Sequence, residues 1–300
     1  MNDRIEQMIE AYKAQFEAER IARRKARSQE REFSDLGHDV IDRSFRKLVG
    51  KLAPDFDLEA LAKGNRSLSE KLAQHAEEAE REMRKMPDAA ARQAMRHTRM
   101  MQDIALQHHH SGVVPSPPQQ ILIDADPSEG RTRCEVTADL ALGRVYPVLN
   151  VWGAGKSGLR DAEVVCDYFW SFTPKTSGAH YVTPHIEIHG YEVITLEHHC
   201  FHDSSGTTRE FEVLMDVSQS GIVSPVAMAG PQNLGHGRID TWRWPNYPTF
   251  LRADVEALAV VRIRLRAVAR NEYARSSMNF GDPPAENFIG MPWLCWSEFT

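Results

Sequence analysis

Hydrophobic positions in the first third of the chain recur at helical spacing. Ile5, Ile9, Tyr12 and Phe16 follow one another at intervals of four, three and four residues, the a/d pattern of a short coiled coil. Charge then dominates residues 20–32. The pattern predicts three further helices with apolar stripes within residues 40–52, 68–86 and 91–105, the first of them capped by Ser34 or Asp35.

These helical stripes are narrow and rich in alanine. A single helix of this kind buries too little apolar surface to offset its ordering entropy, so it needs a partner. We therefore expect residues 1–110 to form a coiled coil or bundle that drives homo-oligomerisation. The alternative is a monomeric helical hairpin that stacks on the second part of the chain.

From residue 120 the pattern changes to short alternating or apolar runs between turn signals. Ten strands are predicted: Gln120–Ala125, Arg131–Leu140, Arg144–Trp152, Ala162–Phe172, His180–Glu187, Tyr191–Glu197, Thr208–Val217, Ile222–Met228, Thr249–Arg270 (bent or broken) and Phe288–Trp296. Strands without alternating helices favour an antiparallel, jelly-roll-like β-sandwich. The predicted fold class is α+β in segregated domains.

Composition changes at the same place. Residues 1–110 hold 3 of the 18 glycines and none of the 6 tryptophans or 4 cysteines. Glycine disfavours helices and tryptophan favours strands, so two kinds of structure are encoded. We divide the chain into a helical region at 1–110, a Pro-rich linker at 111–119 and a β-sandwich domain at 120–300.

Charge and hydropathy narrow the class of protein. The net charge is −6, which argues against nucleic acid as a partner. No run of eighteen apolar residues predicts a transmembrane span, and the first thirty residues lack the apolar core of a secretory signal. The default expectation is a cytoplasmic protein, with incorporation into a particle or non-classical export left open.

The most suggestive binding segment is Thr241–Phe250. It places Trp242, Arg243, Trp244 and Tyr247 in a Pro-rich, non-periodic stretch. Flat aromatic faces beside a guanidinium suit sugar rings or a protein partner. The competing interpretation is a lid that folds over the end of the sandwich.

A histidine cluster offers a different hypothesis. His185, Glu187 and His189 alternate on one strand face, and His199 and His202 follow. Together they could hold zinc or non-haem iron in a metal-dependent enzyme on a double-stranded β-helix. Against this, residues two apart on a strand are about 7 Å apart. The His-x-Glu-x-His spacing also matches no established metal-binding motif. We therefore favour the interpretation that these histidines are surface side chains.

Two groups of arginines carry positive charge along predicted elements. Arg262, Arg264 and Arg266 alternate on one strand, where Glu210 and Glu212 of a neighbouring strand are expected to neutralise them. The basic run between Arg20 and Arg31 is read as a solvated helix.

No nucleophile or acid–base motif is present, and no cofactor is expected. The leading hypothesis is therefore a non-enzymatic structural or recognition protein. A helical stalk would present a head that binds a glycan or protein. One form of this hypothesis places the protein within a larger assembly.

Overall fold

The computed structural model describes residues 3–55, 111–114, 116–128, 132–153, 159–195, 207–221, 225–228, 237–270, 274–281 and 287–298, with single positions 57, 59, 60, 63, 67, 74, 78, 81 and 232. These residues form one long N-terminal helix and a set of antiparallel sheets that stack as a β-sandwich. The predicted helices at 68–86 and 91–105 fall largely outside the described residues.

The helix α1 runs without interruption over Asp3–Leu52. The prediction of a break before Ser34 is therefore wrong. The charged stretch stays helical because its side chains pair along the helix and with the sheet, as Glu19 and Arg23 do at 3.6 Å. At 1.5 Å per residue, α1 is about 75 Å long.

Fifteen strands follow: β1 (Ser111–Val114), β2 (Gln120–Pro127), β3 (Thr132–Asp139), β4 (Arg144–Trp152), β5 (Arg160–Phe172), β6 (Gly178–Pro184), β7 (Ile186–Thr195), β8 (Thr207–Ser218), β9 (Val226–Ala227), β10 (Gly237–Arg243), β11 (Tyr247–Leu251), β12 (Ala257–Ala269), β13 (Arg275–Asn279), β14 (Phe288–Gly290) and β15 (Leu294–Glu298). They form sheets of order β1-β15-β6-β11, β10-β7-β13-β4-β14 with β3 on β4, and β2-β5-β12-β8-β9.

Several segments differ from the sequence-based prediction. Strand β10 was not predicted, and β6 and β7 are separated at His185 rather than between Glu187 and Tyr191. The start of the Pro-rich linker is strand β1, which pairs with β15. The stretch Thr241–Phe250 is a loop only at 244–246, because β10 ends at Arg243 and β11 begins at Tyr247. The long predicted strand breaks between β11 and β12, as expected, and β13 was not predicted.

The central strands β5 and β12 are buried on both faces. The even-numbered side chains of β5, such as Trp170, enter the core between the two larger sheets. The odd-numbered side chains of β12, such as Val261, enter the same core. Their other face is covered by α1, whose Ile5, Met8, Ile9, Tyr12 and Phe16 pack on Val165, Phe169, Leu258 and Val260. The stripe predicted to form a coiled coil is thus buried against the chain's own sheet, as the alternative expected of the helical region, whereas the hairpin and the monomeric state in that alternative stay predictions.

Farther along α1, arginines replace apolar residues at this interface. Arg27 is buried, and its guanidinium donates to Asp161 at 2.6 Å and to Asp126 at 2.7 Å. Arg24 donates to Asp124 at 2.6 Å, and Arg31 pairs with Asp161 at 2.8 Å. The interpretation of this basic run as a solvated helix is therefore wrong for these positions.

The β12 arginines complete the same network. Arg262 contacts Asp167, Arg264 contacts Glu163, and Arg266 contacts Asp161, all on β5. Glu212 of β8 lies 3.3 Å from Arg264, so the expected neutralisation by that strand is confirmed for one pair. Helix and sheet are thus joined by an apolar patch followed by alternating charge.

Candidate functional site

Pairing of β7 with β10 places the tryptophan and histidine clusters side by side. Trp242 lies opposite Glu187, and Asp240 lies opposite His189, in antiparallel register. Directly opposed residues share a face of the sheet. Because Ile186 and Ile188 enter the sandwich core, this shared face is the one turned away from it. The two candidate sites identified separately in the sequence lie on one face of this sheet, which we call the aromatic–histidine face. His185 and His189 are buried there, so the interpretation of these two as surface imidazoles is wrong.

The inner row of this face is built around His189. Its Nδ1 lies 3.0 Å from Asp240 Oδ1, and an ionised carboxylate only accepts, so Nδ1 carries the proton and donates. On the other side His189 meets Phe288 of β14, with ring centroids 4.8 Å apart. Arg238 also donates to Asp240, at 3.1 Å. Burial would raise the pKa of Asp240, but these hydrogen bonds outweigh it and lower that pKa.

The outer part of the face is a stack of rings around His185. The imidazole lies flat on Trp293, with centroids 4.8 Å apart and planes 12° apart. Trp244 Nε1 donates to His185 Nδ1 at 2.6 Å. An indole N–H can only donate, so Nδ1 is the acceptor and the imidazole's proton lies on Nε2. The hydrogen bond fixes the plane of Trp244, whose side chain remains 41% exposed.

The buried donors on or beside this face that meet no hydrogen-bond acceptor among the described residues include His185 Nε2, Trp293 Nε1 and Asn287 Nδ2. His185 Nε2 lies 3.7 Å from Glu187 Oε1, beyond hydrogen-bond range. One hydroxyl group placed to the side of both atoms, about 2.8 Å from each, could accept from the imidazole and donate to the carboxylate. Buried donors without acceptors are costly and rare, so each of these groups calls for a partner such as a bound water or a ligand group.

The four predicted binding residues do not all share this surface. Trp242 contacts His189 edge to face at 5.9 Å, whereas Arg243 pairs with Ile186 and therefore lies on the other, core-facing side of the strand. Trp244 belongs to the stack described above. Tyr247, in contrast, donates from its hydroxyl to Asp216 at 2.7 Å, and its ring packs against the sandwich core.

The metal hypothesis rests partly on residues that are not described. His199 and His202 lie outside the described residues, whereas His185, Glu187 and His189 are all buried on β7 or next to it. Within the part of the chain that the structure describes, no three His, Cys, Asp or Glu side chains are placed to hold an ion. The zinc or iron site therefore stays a hypothesis.

Several residues of this face were not singled out from the sequence. Asp240 and Arg238 precede Trp242 at intervals of two, so strand alternation alone would have placed all three on one face. Trp293 and Phe288 come from the C-terminal segment, more than a hundred residues from His185 and about a hundred from His189. Only strand register brings them together, and no local pattern signals it.

Comparison with known proteins yields distant likenesses only. No protein-family model and no curated protein matches the chain. Among solved structures, a family 35 carbohydrate-binding module from Clostridium thermocellum is 12% identical, with a TM-score of 0.23, covering 63% of this chain and 99% of the module. A module from Cellvibrio mixtus lichenase 5A in complex with cellotriose is 10% identical, with a TM-score of 0.21, covering 63% and 98%. In the described residues, no helix is long and apolar enough to cross a bilayer.

Proposed function

We propose that this protein is a recognition protein whose aromatic–histidine face binds a neutral glycan. The observation that carries the proposal is the exposed Trp244 indole, held in a fixed plane by His185. Sugar rings present flat faces of C–H groups, which pack on the electron-rich face of an aromatic ring. An aromatic whose orientation is set beforehand loses little entropy when the ligand arrives.

The polar groups beside Trp244 fit sugar hydroxyls. A hydroxyl both donates and accepts, so it can accept from His185 Nε2 and donate to the Glu187 carboxylate. Ligand sites commonly combine apolar and aromatic walls with a few polar groups that set orientation. Because the carboxylate of Glu187 would repel an anionic sugar, the arrangement favours a neutral one.

The test starts with the full chain on an array of neutral and acidic glycans, followed by calorimetry on the sugars that bind. Truncating an aromatic on which a nucleic-acid base stacks costs about 1–3 kcal/mol, and we take the same order of magnitude for a sugar ring. Trp244→Ala should therefore weaken binding roughly tenfold or more. The matched control is Phe250→Ala, an aromatic that is 71% exposed on β11 and makes none of the contacts described for this face.

Two results would contradict the proposal. One is wild-type protein that binds no sugar on the array. The other is a bound sugar whose affinity is reduced equally by Trp244→Ala and Phe250→Ala. Glu187→Gln adds a finer check, because it keeps the shape but changes the acceptor, and it should alter which hydroxyl pattern is preferred.

A further inference from the structure

The side of α1 that packs on the sheet continues past its last ion pair with the sheet. This side is apolar over residues 5–16 and charged over residues 23–31. Among the described residues, the ion pair to the sheet that lies farthest along α1 joins Asp35 to Arg160, at 3.8 Å. The helix then runs on to Leu52, a further distance of about 25 Å at 1.5 Å per residue.

The same side of α1 becomes apolar again near the end of the helix. At 100° per residue, Ile41, Leu48 and Leu52 lie within about 20° of the direction of Ile5, which is buried on the sheet. These three side chains are each more than half exposed, and we call them the distal stripe. A stripe that continues a packed interface indicates that the packing itself continues. Three other exposed apolar side chains lie about 80° or more away from that direction: Phe33, Leu36 and Val40.

The path of the chain after α1 indicates what covers the distal stripe. Residues 53–58 form a short link between α1 and Glu59, which is helical again. The Asp57 carboxylate accepts from the Ala60 N–H at 2.9 Å, which is the hydrogen bond of a helix N-cap. Helices joined by so short a link pack as antiparallel neighbours in helix bundles. The chain must also return from this end of α1 to the sandwich, because Ser111 pairs with β15.

The returning segment, residues 67–86, has an apolar side of its own. Its sequence predicts a stripe of apolar residues: Leu68, Leu72, Ala76, Ala79, Met83 and Met86. Four described positions of this segment are helical and exposed: Ser67, Gln74, Glu78 and Arg81. At 100° per residue, the four exposed positions fall within an arc of about 60°, and the centre of the apolar stripe lies about 150° away from theirs. The polar side of the segment is therefore the exposed one, and the apolar stripe lies opposite to it.

We propose that residues 67–86 pack antiparallel on the distal stripe, as the second arm of a helical hairpin whose first arm is α1. Both stripes repeat at intervals of three and four residues, so their side chains can interdigitate. The hairpin then continues the layer that α1 forms on the sheet, and the end of α1 is not a free stalk. This inference does not depend on what the aromatic–histidine face binds.

The test compares two neighbours on α1, Ile41 and Val40, which are 58% and 56% exposed but point about 100° apart. Ile41→Asp places a charge in the proposed contact, so urea unfolding of the full chain should show an unfolding constant raised about tenfold or more. Val40→Asp is the matched control and should leave unfolding unchanged. Leu72→Asp should destabilise as Ile41→Asp does. The double variant should lose less than the sum of the two losses, because both residues belong to one interface.

Sedimentation distinguishes this contact from one with a second copy of the chain. The wild type should have the chain mass of 34.0 kDa at micromolar concentration. A wild-type dimer that Ile41→Asp dissociates would assign the distal stripe to a second copy and overturn the proposal. Equal effects of Ile41→Asp and Val40→Asp on unfolding, or additive losses for Ile41→Asp and Leu72→Asp, would overturn it as well. Ile41→Ala against Val40→Ala is a milder form of the same comparison, for use where an aspartate variant does not fold.

Discussion

The contact between helix and sheet makes a quantitative prediction at Arg262. Its guanidinium donates to both carboxylate oxygens of Asp167, at 2.7 and 2.8 Å, to Glu19 at 2.7 Å and to the Tyr12 hydroxyl at 2.9 Å. Asp167 is fully buried. In Arg262→Met the stem still packs, but among the described side chains Asp167 keeps only the hydroxyl donor of Tyr12.

Removing one partner of a buried ion pair costs about 3–5 kcal/mol, because the other charge stays buried. Since Tyr12 still donates to Asp167, we expect a loss near 3 kcal/mol for Arg262→Met. The matched control is Arg264→Met. Its main partner, Glu163, has Arg23 and Arg27 within 3.6 Å, so that carboxylate stays compensated and the loss should be about 1 kcal/mol.

The assay is urea unfolding of the full chain, followed by circular dichroism, with hydrogen exchange of the α1 amides as a local measure. Arg262→Met should also increase exchange in the first half of α1. Replacing both charges, Arg262→Met with Asp167→Leu, should recover part of the loss because no buried charge is left alone. Equal losses of unfolding free energy in Arg262→Met and Arg264→Met, or unchanged amide exchange of α1 in Arg262→Met, would refute the reasoning.

Three further predictions concern packing and pH. Gly190→Ala should cost about 1–3 kcal/mol in thermal unfolding, because a Cβ there would lie 2.3 Å from Phe280, whereas Gly50→Ala meets open space and should not destabilise. Burial would raise the pKa of Asp161, but hydrogen bonds from arginines outweigh burial and lower that pKa. The stabilisation that Asp161 provides should therefore be complete above about pH 4, the pKa of the unfolded chain, and should be lost as the pH falls below that value. Acid unfolding of Asp161→Asn should lack this loss. Burial raises the pKa of Tyr12 far above its usual range, so stability should fall as pH rises past about 10, and less so in Tyr12→Phe.

Strand alternation predicted much of the sandwich but not what covers it. The bounds of β4 match the predicted Arg144–Trp152, since both ends are marked by turns or charge. On β5, alternating Asp161, Glu163 and Asp167 have the pattern of a solvent-exposed face. They are buried because arginines of α1 and β12 neutralise them. A charge pattern cannot distinguish water from a complementary partner that is far away in sequence.

The candidate site was predictable in its parts and not in its assembly. The clustering of Trp242 and Trp244 and the alternation of His185 and His189 are visible in the sequence. Their juxtaposition depends on the register of β7 with β10, which are separated by more than forty residues. The ring stack also needs Trp293, which only the three-dimensional fold brings to His185.

The most direct test of glycan recognition is to follow the six tryptophan indole N–H signals by nitrogen-15 NMR while a sugar that binds on the array is added. The signals of Trp244 and Trp293 should shift together. Trp170, buried in the core with its N–H donated to the Ser116 carbonyl, should stay unchanged. A sugar that binds while the Trp244 signal stays fixed would contradict the account.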